Sequence, residues 1–163
     1  MNMIKQITKE NIPECVKVIR ESFLTVAEEF GITPENAPRF TAFAVDEDRL
    51  YWQFDSEHRP MTAYFEDGKI VGYYSLSVVG DGVCELNNLC TLPAYRHNNI
   101  GEKLLEDAFE QSKKLGFTKM QLSIVEENKR MRKWYENHGF IHTGMEKFDF
   151  FPFTCGYMEI DLR

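Results

Sequence analysis

The stretch CTLPAYRHNNIGEKLL, residues 90–105, joins the end of a predicted strand to the start of a predicted helix through a short polar loop. The loop from Arg96 to Gly101 directs successive backbone N–H groups ahead of the helix N-terminus, where unpaired donors and the positive end of the helix dipole attract anions. Asn99 is among the few side-chain-bearing residues that accept a left-handed conformation, and Gly101 lets backbone approach a ligand closely. On these residues alone, an anion site and a solvated turn with a helix cap remain equally open.

Upstream of this stretch, the pattern predicts an amphipathic helix and a group of antiparallel strands. Apolar residues recur every three or four positions from Ile12 to Phe30, and Gly31 ends that helix. The prolines of 33–60 predict one or two short helices embedded in loop. Asp67-Gly68 predicts a two-residue hairpin turn. The predicted strands lie at 1–8, 61–66, 69–79 and 83–91.

Downstream, the apolar period changes from helix to strand twice. A helix runs from Ile100 to Leu115, and a second one begins at the capping residue Asn128 and ends at Gly139. The predicted strands here lie at 117–125, 140–147 and 155–162. This order predicts an α/β (α+β) fold: one mixed, mostly antiparallel seven-stranded sheet with helices on both faces, in a single domain over 1–163.

The composition is that of an ordinary globular protein, with 43% hydrophobic and 28% charged residues among 163. The 19 basic and 26 acidic residues give a net charge of −7, which argues against a nucleic-acid partner because phosphate binding needs a basic face. A cationic acceptor suits this charge better. No run approaches the roughly 18 to 20 apolar residues of a membrane span, so no membrane partner is expected.

The spacing of the cysteines and histidines does not predict a metal site. Cys15, Cys84, Cys90 and Cys155 stand apart in apolar surroundings, without a C-x-x-C pair or a secretory leader. They are expected to be free, buried thiols in a reducing cytoplasm. The four histidines give one close pair, His138 and His142, which Gly139 interrupts, so we expect no metal.

Two motifs together resemble the GCN5-related N-acetyltransferases, the GNAT family. Residues 90–105 are similar to motif A, whose phosphate loop reads Arg or Gln, x, x, Gly, x, Gly or Ala, and stands here as Arg96-x-x-Asn99-x-Gly101. Asn99 departs from the usual glycine. Motif B is matched at the expected separation by Asn128-x-x-Met131-x-x-Trp134-Tyr135-Glu136-x-x-Gly139-Phe140.

The resemblance implies the GNAT fold and acetyl-CoA bound in a V-shaped opening, where two parallel strands at 83–91 and 117–125 splay apart. The pantetheine arm would pair with the backbone of Leu89, Cys90 and Thr91 like an added strand. Asn128 would reach the cofactor from the facing loop, and Tyr135 would lie beside it. The pyrophosphate would bind the N–H groups of Arg96, His97, Asn98, Asn99, Ile100, Gly101 and Glu102.

Acetyl transfer needs a base for the acceptor amine and an acid for the departing thiolate. Glu85 lies eleven residues before Arg96, which is similar to the placement of the general base in histone-type family members. A structural glutamate or a substrate anchor is the alternative. The resemblance makes Tyr135 the acid, with a core aromatic as the alternative. Cys90 is a poor candidate nucleophile because nothing nearby in sequence activates it.

The function predicted is acetyl-CoA-dependent transfer of an acetyl group to a primary amine of a small molecule or peptide, by direct transfer. The alternative is a non-catalytic acyl-CoA-binding regulatory module of the same fold. Another nucleotide-phosphate binder is disfavoured because G-x-G-x-x-G and the P-loop lysine motif are missing. An apolar late strand at 155–162 is compatible with a homodimer. Aromatic residues that could line an acceptor pocket, or belong to the core, are Tyr51, Trp52, Phe54, Tyr73, Tyr74 and Phe148–Phe153.

Overall fold

The computed structural model describes residues 2–163 and contains a seven-stranded mixed sheet in the order β1-β2-β3-β4-β5-β7-β6. The strands are β1 Asn2–Gln6, β2 Met61–Glu66, β3 Lys69–Gly80, β4 Val83–Thr91, β5 Lys119–Val125, β6 Ile141–Lys147 and β7 Thr154–Asp161. The helices are α1 Ile12–Glu29, α2 Thr41–Ala44, α3 Glu47–Asp55, α4 Ile100–Lys114 and α5 Lys129–Asn137. The predicted mixed, mostly antiparallel seven-stranded sheet is therefore confirmed.

Single turn and capping residues determine where several of the strands and helices begin or end. Asp67 and Gly68 both have positive φ, at 50° and 84°, as a type I′ hairpin turn between β2 and β3 requires. The proline-rich region contains the one-turn α2 and the nine-residue α3, which Asp46 caps by accepting the N–H of Arg49. Met1, which belongs to the first predicted strand, lies outside the described residues.

Strand β3 is buried on both faces, so helices cover the sheet on both sides. The neighbouring residues Tyr73 and Tyr74 point to opposite faces and are both fully buried. The hydroxyl of Tyr74 donates to Oδ2 of Asp107 on α4 at 2.6 Å. Helix α1 also packs on β3 and β4, and it covers the other face.

Strands β4 and β5 form the one parallel pair among the described strands of the sheet. Pairing between them covers only three positions and ends where Glu85 faces Gln121. Beyond this point β4 pairs with β3 alone, through an irregular register at which Asn88 has φ 56°. Strand β5 continues beside β7 as far as Val125. The two strands therefore part, and an opening forms between their C-terminal ends.

Gly72 allows α4 to pack closely on β3. A Cβ at this position would lie 2.8 Å from Cδ1 of Leu104 and 3.2 Å from the carbonyl oxygen of Cys90. We expect Gly72→Ala to lower the free energy of unfolding by about 1–3 kcal/mol, because overpacking forces α4 or β4 to move. Urea denaturation measures this loss.

Gly80→Ala is the matched control, since a Cβ at Gly80 meets nothing within 4 Å. Its free energy of unfolding should stay within about 0.5 kcal/mol of the wild type. Equal losses in the two variants would mean that strand propensity, and not the contact between α4 and β3, sets the cost.

Candidate active site

A cleft of about 610 Å³ occupies the opening between β4 and β5. Its walls come from the C-terminal half of α1, the end of β4, the loop into α4 and the first turns of α5. The residues from α1 are Ser22, Phe23, Thr25, Val26 and Glu29. Those from β4 and the loop are Leu89, Cys90, Thr91, Arg96, His97, Asn99, Ile100, Gly101 and Glu102, and those from α5 and its cap are Asn128, Arg130, Met131, Trp134 and Tyr135.

The loop before α4 presents a run of unpaired backbone donors. Asn99 adopts the left-handed conformation, with φ 60° and ψ 19°, and forms the N-cap of α4. The N–H of Arg96 donates to the carbonyl of Pro93 and that of Lys103 to the carbonyl of Asn99. Between them, the N–H groups from His97 to Glu102 have no partner anywhere in residues 2–163. This run lies at a helix N-terminus and is suited to an anion.

The Arg96 side chain forms hydrogen bonds within the protein through all three nitrogens of its guanidinium. Its guanidinium donates to the carbonyl of Thr91 at 3.1 Å, to Oγ1 of Thr25 at 3.0 Å and to the carbonyl of Ser22 at 3.0 Å. The last two partners belong to α1, so Arg96 fastens the loop to that helix. The backbone N–H of Arg96 donates to the carbonyl of Pro93, so Arg96 is the one residue expected to contact pyrophosphate whose N–H is already in use.

Gly101 lies where the first turn of α4 faces α5. A Cβ here would lie 3.7 Å from Cζ2 of Trp134 and 3.8 Å from Oγ1 of Thr91, both ordinary contact distances. Only a larger side chain would fill the space between these groups. Asn98 belongs to the same loop but does not line the cleft.

Asn128 and Tyr135 face the loop from α5. Oδ1 of Asn128 accepts the N–H of Met131 at 3.2 Å, and the residue is 7% exposed. The Tyr135 ring packs against Trp134 and Phe140, with centroid distances of 5.0 and 5.3 Å. Its hydroxyl has no hydrogen-bond partner among the described residues, and burial raises the pKa of that hydroxyl, which therefore stays protonated at neutral pH.

Glu85 lies apart from these groups. It is four positions before Leu89, so about 13 Å of extended strand separates the two residues. Its carboxylate makes no hydrogen bond or ion pair with any residue in 2–163, and it does not line the cleft. Burial raises its pKa, and the positive charge of Arg59 opposes this rise. The cleft thus brings together Tyr135 and the loop but not Glu85.

Comparison with known proteins gives the family. A sequence model described as the acetyltransferase (GNAT) family matches residues 23–140. The chain belongs to this family.

Relatives and solved structures agree with the GNAT assignment. The chain is 24% identical over 164 residues to the uncharacterized N-acetyltransferase YjgM of Escherichia coli, covering 99% of this chain and 92% of that protein. The PaiA N-acetyltransferase of Thermoplasma acidophilum, solved with coenzyme A, superposes with a TM-score of 0.81 at 22% identity, covering 99% of both chains. YncA of Salmonella typhimurium, solved with acetyl-CoA, gives 0.76 at 20%, covering 99% of this chain and 94% of that one.

Sequence reasoning missed the contribution of α1 to this GNAT cleft. Ser22 is the clearest example: it lies in the apolar stripe of α1, is 2% exposed, and its Oγ has no partner among the described residues. A buried hydroxyl in an apolar stripe is the signal that could have pointed to a cleft. Arg130, an exposed charged residue in the first turn of α5, carried no comparable signal.

The candidate aromatic and cysteine side chains differ in burial. Tyr73 and Tyr74 are fully buried core residues, whereas Trp52 is 57% exposed. Burial raises the pKa of the Cys90 thiol to about 12, which opposes a nucleophilic role. All four cysteines are free. Cys155 is only partly buried, and not buried as expected, because it lies at the start of β7, next to the loop that leads into this strand.

Residues 2–163 contain neither a cluster of metal ligands nor a helix that could span a membrane. No three histidine, cysteine or acidic residues within this range lie close enough to hold a metal ion. None of its helices is long and apolar enough to cross a membrane.

Proposed function

We propose that the protein is an acetyl-CoA-dependent N-acetyltransferase that transfers the acetyl group directly to a primary amine of a small molecule or peptide. The observation that carries this proposal is the run of unpaired N–H groups from His97 to Glu102 at the mouth of the cleft. Donors of this kind bind a pyrophosphate through fixed dipoles, without a dedicated charged side chain.

The edge of β4 suits the linear part of the same molecule. Beyond Glu85 this strand pairs only with β3, so one backbone edge of Leu89, Cys90 and Thr91 faces the cleft. An extended amide chain can pair with such an edge like an added strand. Asn128 faces this edge from α5 and offers a side-chain amide to the same chain.

In the proposed reaction, the acceptor amine loses one proton and the departing CoA sulfur gains one. The acceptor nitrogen attacks the thioester carbon, the C–S bond breaks, and the acceptor loses a proton to the Glu85 carboxylate. Because Glu85 is about 13 Å of strand from Leu89, water molecules or the acceptor itself must connect them. The Tyr135 hydroxyl donates its proton to the departing sulfur.

A non-catalytic acyl-CoA-binding module is the second candidate. A binding module has no use for an unpartnered hydroxyl inside the cleft, or for a carboxylate kept free of ion pairs on a central strand. The free Tyr135 hydroxyl and the free Glu85 carboxylate therefore favour the enzyme.

The remaining expectations are also proposals. A single domain without a metal is sufficient for this chemistry, and four free cysteines support a cytoplasmic location. We expected the apolar residues of β7 to support a homodimer, but β7 lies inside the sheet and they do not. Ile141 and Met145 are exposed on the edge strand β6 and support a homodimer instead.

Two measurements together test the proposed function. Calorimetric titration should give saturable binding of acetyl-CoA, and no binding of ATP or NAD. A screen of primary amines that follows free CoA release should then find an acceptor. Binding without turnover on any amine would favour the non-catalytic module, and no binding of acetyl-CoA would reject both candidates.

Tyr135→Phe tests the acid. The change deletes one oxygen and keeps the ring packing, so we expect the chemical step to slow by about 10- to 10³-fold with unchanged acetyl-CoA affinity. The raised pKa of Tyr135 means that the wild-type hydroxyl remains a proton donor throughout the neutral range. Single-turnover kinetics report this step directly.

Tyr64→Phe is the control, since it removes the same atom from a buried tyrosine that does not line the cleft. This variant should keep its single-turnover rate. Full activity in Tyr135→Phe would remove the hydroxyl from the mechanism and leave water as the proton source.

Glu85→Gln tests the base. It keeps the shape of the side chain but cannot accept a proton, so the rate should fall by roughly 10² to 10⁴ with acetyl-CoA affinity intact. The loss should be largest well below the pKa of the amine, where the acceptor arrives protonated, and should shrink as the pH approaches that value. The pH dependence of kcat for both proteins measures this pattern.

Glu159→Gln provides the comparison, because Glu159 faces Gln121 from the side opposite Glu85. If Glu85 only attracts a cationic acceptor, Glu85→Gln should lose activity equally at every pH, mainly through KM, and Glu159→Gln should lose little because Lys119 already pairs with that carboxylate at 3.6 Å. Such a result would make Glu85 a substrate anchor.

A further inference from the structure

An ion pair crosses the cleft between α1 and α5. Nη2 of Arg130 contacts both carboxylate oxygens of Glu29 and lies 2.5 Å from Oε2. The partners are 101 residues apart in sequence, and both line the cleft. Glu29 is the last residue of α1, and Arg130 lies in the first turn of α5.

Arg130 is the arginine of the cleft lining whose side chain can bind a ligand anion. Within the described lining, Arg96 is the only other arginine and no lysine is present. All three donor nitrogens of the Arg96 guanidinium already contact Thr91, Thr25 and Ser22. The Arg130 side chain, in contrast, is 77% exposed and has the exposed Glu29 as its one ion-pair partner within residues 2–163.

The two interactions open to Arg130 differ in strength. An exposed ion pair between side chains contributes little to stability, about 0–1 kcal/mol, because water and salt screen it. A phosphate accepts bidentate hydrogen bonds from a guanidinium and gives a stronger, charge-assisted contact. An anionic ligand in the cleft therefore competes well against Glu29.

We propose that Arg130 is a phosphate-binding residue that Glu29 occupies until acetyl-CoA enters the cleft. On binding, the guanidinium exchanges the Glu29 carboxylate for a phosphate group of the ligand, and Glu29 returns to solvent. This inference rests on the proposed function, since it requires acetyl-CoA as the ligand.

The test is a double-mutant cycle read by calorimetric titration with acetyl-CoA. Arg130→Gln should weaken binding about 3- to 10-fold, because the phosphate contact is lost. Glu29→Gln should tighten binding about 2- to 5-fold, because Arg130 no longer has to leave a partner. In the double variant, Glu29→Gln should no longer tighten binding. The affinity of the double variant for acetyl-CoA should therefore be within about twofold of that of Arg130→Gln alone.

This last comparison separates an exchange from simple repulsion. If Glu29 only repels the ligand's phosphates, Glu29→Gln tightens binding by the same factor whether or not Arg130 is present, and the exchange is wrong. Glu28→Gln and Lys129→Gln are the charge-matched controls, because both residues are exposed and lie outside the cleft lining. Each should change the affinity less than twofold.

A second ligand identifies the phosphate. Dephospho-acetyl-CoA lacks the 3′-phosphate and keeps the pyrophosphate. If Arg130→Gln weakens its binding as much as that of acetyl-CoA, the pyrophosphate is the partner; if the effect of the variant vanishes, the 3′-phosphate is. Either outcome supports a contact between Arg130 and a phosphate of the ligand.

The inference and the proposed function fail differently. Equal affinities of the wild type and Arg130→Gln for acetyl-CoA would overturn the inference and leave the proposed function standing. A wild-type protein that does not bind acetyl-CoA would overturn the proposed function and, with it, the role of Arg130.

Discussion

The cleft exists because β4 and β5 stop pairing after Glu85 and Gln121. Inside a sheet, the backbone N–H and C=O groups on each edge of a strand normally pair with the neighbouring strand. Beyond Glu85, the edge of β4 that faces away from β3 has no strand beside it. Unpaired N–H and C=O groups that face away from water are costly unless a ligand or solvent pairs with them. This break in one parallel pair sets the position of every group around the cleft, since α4 and α5 begin close to the strand ends that it separates.

The helices hold the opening apart by contacts that are distant in sequence. Arg96 fastens the loop before α4 to Ser22 and Thr25 of α1, and Arg130 joins α5 to Glu29 at the end of the same helix. Helix α1 therefore spans the mouth and touches both walls. Through α1, this arrangement connects the wall that presents free N–H groups to the wall that carries Tyr135.

Local signals allowed much of the fold to be predicted from the sequence. The Asp67-Gly68 turn, the left-handed Asn99 and the N-cap Asn128 depend on one or two residues each, and all three adopt the expected geometry. The direction of the Arg96 side chain and the contribution of Glu29 could not be predicted, because their partners lie 71 to 101 residues away. The separation of Glu85 from the cleft is likewise a property of strand geometry and not of residue type.

The proposed function requires that the unpaired amides from His97 to Glu102 receive the phosphates of acetyl-CoA. Backbone amide NMR during a titration with acetyl-CoA tests this most directly, because each N–H reports its own hydrogen bond. We expect large shifts and slowed hydrogen exchange for these residues, with the amides of the distant Asp67-Gly68 turn unchanged. Saturable binding that leaves the amides of His97 to Glu102 unshifted would contradict this requirement.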